Sequence, residues 1–184
     1  MQDPAREIDS VVHQLTAAAS PDLQKRAIHR FFAPDASFRH PLAHVPPAPN
    51  SRESILSIYQ WYRILSPHIE LAVSDIAYIP EQNTIYLTVT QKFHVRFVPF
   101  PPAPVRLLVR ITLRPVSTDS ESPILYHIAS QEDFYHTDAL AAIAFPPLAI
   151  PARMLLRLSA AACAVLARGA QVVFGTWQPR AVEE

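Results

Sequence analysis

TIYLTVTQKFHVRFV, residues 84–98, and VRLLVRITLRPV, residues 105–116, decide the fold of this chain. Both alternate apolar and polar side chains, the period of a strand with one buried face. In the first, Ile85, Leu87, Val89, Gln91, Phe93, Val95 and Phe97 share a face; in the second, Val105, Leu107, Val109, Ile111 and Leu113 do. The opposite faces carry Lys92, His94 and Arg96, and Arg106, Arg110 and Arg114. One side of the sheet is therefore expected to form a core and the other a solvated, basic surface. Period two also marks strands at about 68–79 and 123–136, and the turn Pro80–Asn83 joins the first to residues 84–98 as a hairpin.

Helical spacing dominates upstream. Ile8, Val11, Val12 and Leu15 predict a first helix over about 4–19. Ser20-Pro21-Asp22 supplies a cap, a first-turn proline and an acidic start for a second helix, which ends before Pro34. A short extended piece, 35–40, leads into a proline-rich loop. Asn50 and Glu53 predict a capping box for a third helix carrying Ile55, Ile58, Tyr59, Tyr62 and Leu65. Helices followed by a long antiparallel sheet give an α+β domain, the helices covering one face.

Composition narrows the class. The 184 residues suffice for one domain with an appendage, and 49% hydrophobic content supplies a core. Sixteen basic and sixteen acidic residues cancel, so no overall field draws the chain to nucleic acid. The single Cys163 has no internal partner, which fits a reducing compartment. The acidic, weakly apolar N-terminus is no secretory signal, so an intracellular location is expected. Two glycines against nineteen prolines leave stiff turns and no room for a phosphate-binding or dinucleotide-binding glycine loop.

The C-terminal stretch PARMLLRLSAAACAVLARGAQVVFGTWQ, residues 151–178, reads as a single helix. At ~100° per residue, Arg153, Arg157, Arg168, Gln171 and Gln178 fall within a stripe of about 80°, with Phe174 and Trp177 among the apolar residues around it. From Met154 to Phe174 such a helix is ~31 Å long, enough to span a bilayer. Spanning would bury Arg157 and Arg168 at about 2.5–3.5 kcal/mol each near the centre. A helix lying flat in the interface avoids that cost. Packing against the domain or a second copy is the alternative. The loop VPFPPAP, 98–104, places Phe100 at an apolar tip that can enter a bilayer or serve as a rigid connection.

Four phrases carry a family resemblance: ASFRHPL at 36–42, SIYQWYRILSP at 57–67, Gln91-x-Phe93, and SQEDFY at 130–135. In this order they resemble the fungal SigF-like branch of the nuclear transport factor 2-like superfamily, which includes SnoaL-like proteins. The resemblance implies a cone-shaped fold with a curved sheet, an internal pocket, and a long apolar helix at the end. It also implies kinship with isomerases and cyclases that use acid/base pairs, without specifying a reaction.

Within that frame Gln91 is the one polar member of an apolar inward row, and its amide requires partners from the SQEDFY strand or a ligand. In the last strand, His127, Gln131, Asp133 and Tyr135 form one row and Tyr126, Ser130, Glu132 and His136 the other; a one-residue slip exchanges them. With the first row inward, Asp133 can meet His40 or Tyr62, giving an acid/base pair suited to an isomerase or cyclase. Asp133 can equally cap the following helix or pair with an arginine. Tyr59, Tyr62, Gln91, Phe93, His127, Gln131 and Tyr135 are the candidate pocket residues. His40 and His44 are separated by Pro41, which opposes a helical metal pair, and CxxC, HExxH and GxSxG are absent from the sequence. No metal or cofactor is expected.

The sequence therefore divides into a cone domain, 1–143, and an apolar, amphipathic extension, 144–184. Its leading reading is a non-catalytic binder or carrier of a small apolar ligand, cytoplasmic and peripheral to an intracellular membrane. Phe100, Arg153, Arg157, Arg168, Phe174 and Trp177 are expected to touch that membrane. An isomerase or cyclase with Asp133 and His40 is the first alternative. A dimerisation or adaptor module, including a homodimer, is the second, opposed by repulsion between basic sheet faces.

Overall fold

The computed structural model describes residues 1–96, 98–116 and 124–178. Three N-terminal helices, α1 (Pro4–Thr16), α2 (Pro21–Phe31) and α3 (Ser51–Leu65), are interleaved with β1 (Phe32–His40) and β2 (Ala43–Val45). There follow β3 (Ile69–Ile79), β4 (Thr84–Phe93), β5 (Val105–Val116), β6 (Leu125–Tyr135), α4 (Thr137–Ala144) and α5 (Ala149–Phe174). The sheet is open and curved, in the order β2-β1-β6-β5-β4-β3. Neighbours run antiparallel except β1 and β6, which are parallel, so the sheet is mixed rather than wholly antiparallel. Sequence alternation cannot tell these apart, because both directions present side chains with period two.

The inward rows of β4 and β5 are buried from Ile85 to Gln91 and from Val105 to Leu113. The aliphatic residues from Ile85 to Val89 and from Leu107 to Leu113 meet Ile8, Val11 and Leu15 of α1, Ile28 of α2, and Ile55 and Tyr59 of α3 in one core, while Val105 packs with Ala142 and Ala149 in a smaller one. Local chemistry starts the first two helices: Asp3 Oδ1 accepts the Arg6 N–H, and Ser20 Oγ accepts the Leu23 N–H. α3 departs from expectation. Asn50 has φ 62° and makes no side-chain cap, so the Asn50–Glu53 capping box does not form. A cap of that kind needs an extended backbone at the N-cap, which a left-handed residue lacks.

β4 ends at Phe93, short of the expected Val98, because the chain turns at Arg96, whose N–H donates to Leu65 C=O at 2.7 Å. Phe97, read as part of the inward row, and Pro123, at the start of the expected last strand, lie outside the described residues. The outer face also differs from the basic surface expected. Lys92 pairs with Glu70 at 2.7 Å, Arg106 with Asp75 at 2.9 Å, Arg110 with Glu132 at 3.4 Å and Arg114 with Asp35 at 2.8 Å. Acidic residues from adjacent strands and from strands one further away reach the basic ones, and this pairing neutralises them.

α5 begins two residues earlier than the periodicity predicts and stops at Phe174. Gly175 adopts φ 62° and donates its N–H to Gln171 C=O at 3.0 Å, a left-handed C-terminal cap. Trp177 and Gln178 therefore lie beyond the helix. Gln178 folds back, its Nε2 donating to Gln171 C=O at 2.8 Å. The first turn is tied down by Arg153, whose Nε meets Asp138 Oδ2 of α4 at 3.0 Å. Beyond it the helix leaves the domain, and Leu155, Leu158, Val165, Leu166, Val172, Val173 and Phe174 are all exposed. The helix does not pack its apolar surface on its own domain.

Candidate ligand-binding site

The sheet brings the polar residues together by register. Val109 on β5 stands between Leu87 on β4 and Asp133 on β6. One step along, Ile111 stands between Ile85 and Gln131, and Gln131 pairs on its other side with Phe38 of β1. Leu107 pairs with Val89 and Tyr135. The row Gln131, Asp133, Tyr135 thus faces inward, beneath Tyr59 and Tyr62 of α3. The residues that sequence alone left between two rows are sorted by this pairing.

They enclose a cavity of about 50 Å³. His40, Tyr59, Tyr62, Gln91, Phe93, Gln131, Asp133 and Tyr135 all border it, with Phe38 and aliphatic residues of α1, β4 and β5 completing the wall. A second chamber of about 230 Å³ adjoins it. His40, Tyr62, Phe93 and Tyr135 line both, while Leu42, Leu65, Val95, Leu140 and Ile143 line the outer one alone. The site is thus a small inner space with polar groups that shares an aromatic wall with a larger apolar space under α4.

His127 is not part of it. The β5–β6 register shifts between Thr112 and Leu113, where Ala129 is an extra residue on β6. This bulge reverses the alternation, so Ile128 becomes fully buried and His127 pairs with Arg114 toward the other side. Phe38, Leu140 and Ile143 are lining residues that sequence reading missed. Phe38 lies two positions before His40 on one strand, and Leu140 and Ile143 have i, i+3 spacing on α4, so both signals were present.

Inside, the polar groups form short chains. Tyr59 Oη donates to Gln131 Oε1 at 3.0 Å, and Gln131 Nε2 donates to Asp133 Oδ1 at 2.9 Å. Gln91 Nε2 donates to Tyr135 Oη at 2.6 Å, so the odd amide of the β4 row is partnered from the SQEDFY strand. The Leu42 N–H donates to His40 Nδ1 at 3.1 Å, and Tyr62 Oη lies 3.4 Å from the same atom. Accepting the Leu42 proton leaves Nδ1 unprotonated, which places the proton of neutral His40 on Nε2. Asp133 and His40 share the cavity, but among the described residues no hydrogen bond joins Asp133 to His40 or to Tyr62.

Burial sets the charges. Desolvation pushes the Asp133 carboxyl up to about 7, the Gln131 amide opposing it. Desolvation also pushes His40 down to about 4, so the ring is neutral at neutral pH. Tyr62 is pushed up to about 12, first by burial and then by the Asp133 charge, and Tyr59 and Tyr135 are raised by the same two causes. Among the described residues no group of three or more His, Cys, Asp or Glu side chains is placed to hold a metal ion.

A family model described as the SigF NTF2-like domain matches residues 1–176. The chain belongs to the SigF NTF2-like domain family. The match runs through the whole of α5, so the NTF2-like unit here includes the apolar helix. Solved structures agree in fold. A hypothetical protein from Catenulispora acidiphila with a ketosteroid isomerase-like fold, in complex with trimethylamine, is 18% identical with a TM-score of 0.52, covering 74% of this chain and 93% of that one. An NTF2-like protein from Burkholderia pseudomallei is 11% identical with a TM-score of 0.51, covering 73% and 94%. An NTF2-like protein from Anabaena variabilis is 12% identical with a TM-score of 0.50, covering 71% and 84%. No curated protein sequence gives a significant match. At these identities the likeness concerns the NTF2-like fold alone.

Proposed function

We propose that this domain binds or carries a small, largely apolar ligand bearing one polar end. The observation that carries the reading is a pair of adjoining spaces: an apolar outer one of about 230 Å³ that shares a wall of four rings with an inner one of about 50 Å³ bordered by Gln91, Gln131 and Asp133. Apolar lining supplies the driving force, and a few polar groups fix orientation. Native mass spectrometry of the gently purified protein tests it. A bound small molecule released by denaturation is expected, and a cavity that stays empty in every preparation contradicts it.

The proposal includes a location, peripheral to an intracellular membrane on its cytoplasmic side. Support comes from α5, whose apolar residues are exposed, and from Arg157 and Arg168, which have no acidic partner among the described residues. The stretch 146–174 is long and apolar enough to span, but the two arginines favour an in-plane helix. In this reading residues 1–143 hold the ligand and 144–184 the membrane, with Arg153, Phe174 and Trp177 completing the contact. Phe100 packs edge-to-face on Phe145 at 5.1 Å, so its place is at the root of the tail. Co-flotation with liposomes that is reversed by high salt or alkaline carbonate supports the in-plane helix; resistance to both overturns it. The finer placement in a fungal branch rests on the four sequence phrases.

One observation favours a second reading, an isomerase or cyclase acting on an apolar metabolite. A carboxyl held at about 7 is suited to take and return a proton near neutral pH. Asp133 would be the base, while neutral His40 would serve as a hydrogen-bond donor through Nε2. Asp133→Asn should then abolish turnover without unfolding the protein. A homodimer or adaptor role would rest on the exposed apolar surface of α5 and shows itself as self-association without lipid.

A further inference from the structure

The unmet electrostatic demand of the cavity lies at Asp133. Its carboxyl has two oxygens and, among the described residues, receives one hydrogen bond, from Gln131. Among the described residues no lysine or arginine lines either chamber. Aromatic rings stand beside it in a lining that is otherwise aliphatic. His40 lies 5.0 Å from Tyr135 and 5.7 Å from Tyr62 between ring centroids, Tyr62 lies 6.4 Å from Phe93, and Phe38 lies 6.0 Å from Tyr59. An ionised carboxyl in such a place is costly unless a cation compensates it. Aromatic faces attract cations for their own reason, the ring quadrupole.

A neutral carbonyl could accept the Tyr135 hydroxyl proton but would leave the carboxylate uncompensated. A carboxylate ligand would be repelled by the ionised form. An ammonium group satisfies the carboxyl and the rings together. Resting on the ligand-binding reading above, we infer that the polar end of the ligand is a compact ammonium group, seated against Asp133 within the rings of Tyr62, Phe93 and Tyr135, with an apolar body in the outer chamber. The inner space suits the size: at roughly 10–15 Å³ per water-sized occupant, it admits a head of about four non-hydrogen atoms.

The titratable groups facing Asp133 are Tyr59 and Tyr62 from α3, His40 from β1 and Tyr135 from β6; α1, β4 and β5 present none to the cavity. The tyrosines and His40 are neutral between pH 6 and 8, so Asp133 alone changes charge there. The competent form is ionised Asp133, and apparent affinity scales with its fraction.

The test is calorimetric titration of the full chain at pH 6 and pH 8 with three probes of equal reach: hexyltrimethylammonium, 2-octanone and octanoate. The first is permanently charged, so its pH dependence reports on the protein. Hexyltrimethylammonium is expected to bind at least about tenfold more tightly than 2-octanone at pH 8, and about tenfold more tightly at pH 8 than at pH 6. Asp133→Asn should remove both differences while retaining 2-octanone. Phe93→Leu, which keeps the carboxyl, should weaken the ammonium probe more than the ketone. If 2-octanone or octanoate binds as well as the cation, or the cation binds Asp133→Asn unchanged, the ammonium inference fails while the ligand-binding reading stands. If none of the probes binds at either pH, both fail.

Discussion

Burial disfavours the charged form of any ionisable group, so the same desolvation raises Asp133 and lowers His40. The two act oppositely on stability. Asp133 titrates near 7 when folded and near 3.8 when unfolded, so the native state holds the extra proton between those values and stability falls as pH rises through that window. His40 titrates near 4 when folded and 6.5 when unfolded, so the unfolded state holds the extra proton and stability rises from about pH 4 to 6.5. The terms oppose one another in the wild type. Asp133→Asn removes one, and at about 1.4 kcal/mol per unit it should stabilise the unliganded protein by about 2–4 kcal/mol at pH 8 and by little at pH 4. Urea denaturation at the two pH values measures this; equal effects at both would show that the carboxyl is solvated. Tyr59→Phe deletes the donor to buried Gln131 Oε1. It should cost about 1–3 kcal/mol in the same assay, and no loss would mean that the amide is otherwise satisfied.

Among the elements, β6 and α5 show where sequence was informative and where it stopped. Strict alternation in β4 and β5 made their inward rows legible, because every in-pointing position from Ile85 to Gln91 and from Val105 to Leu113 is buried. In β6 the polar row from Gln131 to Tyr135 was visible, but its direction was not. Nor was the bulge at Ala129 that turns His127 away, since an extra residue changes register without changing composition. The outer arginines were legible as a row; their partners Asp35, Asp75 and Glu132 come from other strands and needed the pairing. For α5, length and apolar character were clear, while its end depended on the left-handed cap at Gly175. If the helix lies in the interface, each arginine near an anionic surface contributes about 1 kcal/mol. Arg157→Gln with Arg168→Gln should then lower affinity for phosphatidylserine-containing vesicles by about thirtyfold. The melting temperature should hardly change, because neither side chain pairs within the described domain. Unaltered flotation would contradict the assignment.

At the scale of the whole molecule, curvature makes the site. A mixed sheet bent around three helices leaves a space that flat pairing would close. The parallel β1–β6 join brings Phe38 and His40 beside Gln131 and Asp133. α4 then closes the outer chamber with Leu140 and Ile143 before the chain continues into the apolar tail. The central claim is that this space holds a ligand, and cavity filling addresses it. Val109 borders the inner chamber between Leu87 and Asp133, so Val109→Phe places a ring where the ligand's head would sit. Overpacking of this kind costs about 1–3 kcal/mol, and circular dichroism would establish that the variant remains folded. The decisive measurement is native mass spectrometry of wild type and Val109→Phe purified side by side. The account predicts a small-molecule adduct on the wild type and none on the folded variant. An adduct of equal occupancy on both, or on neither, would contradict it.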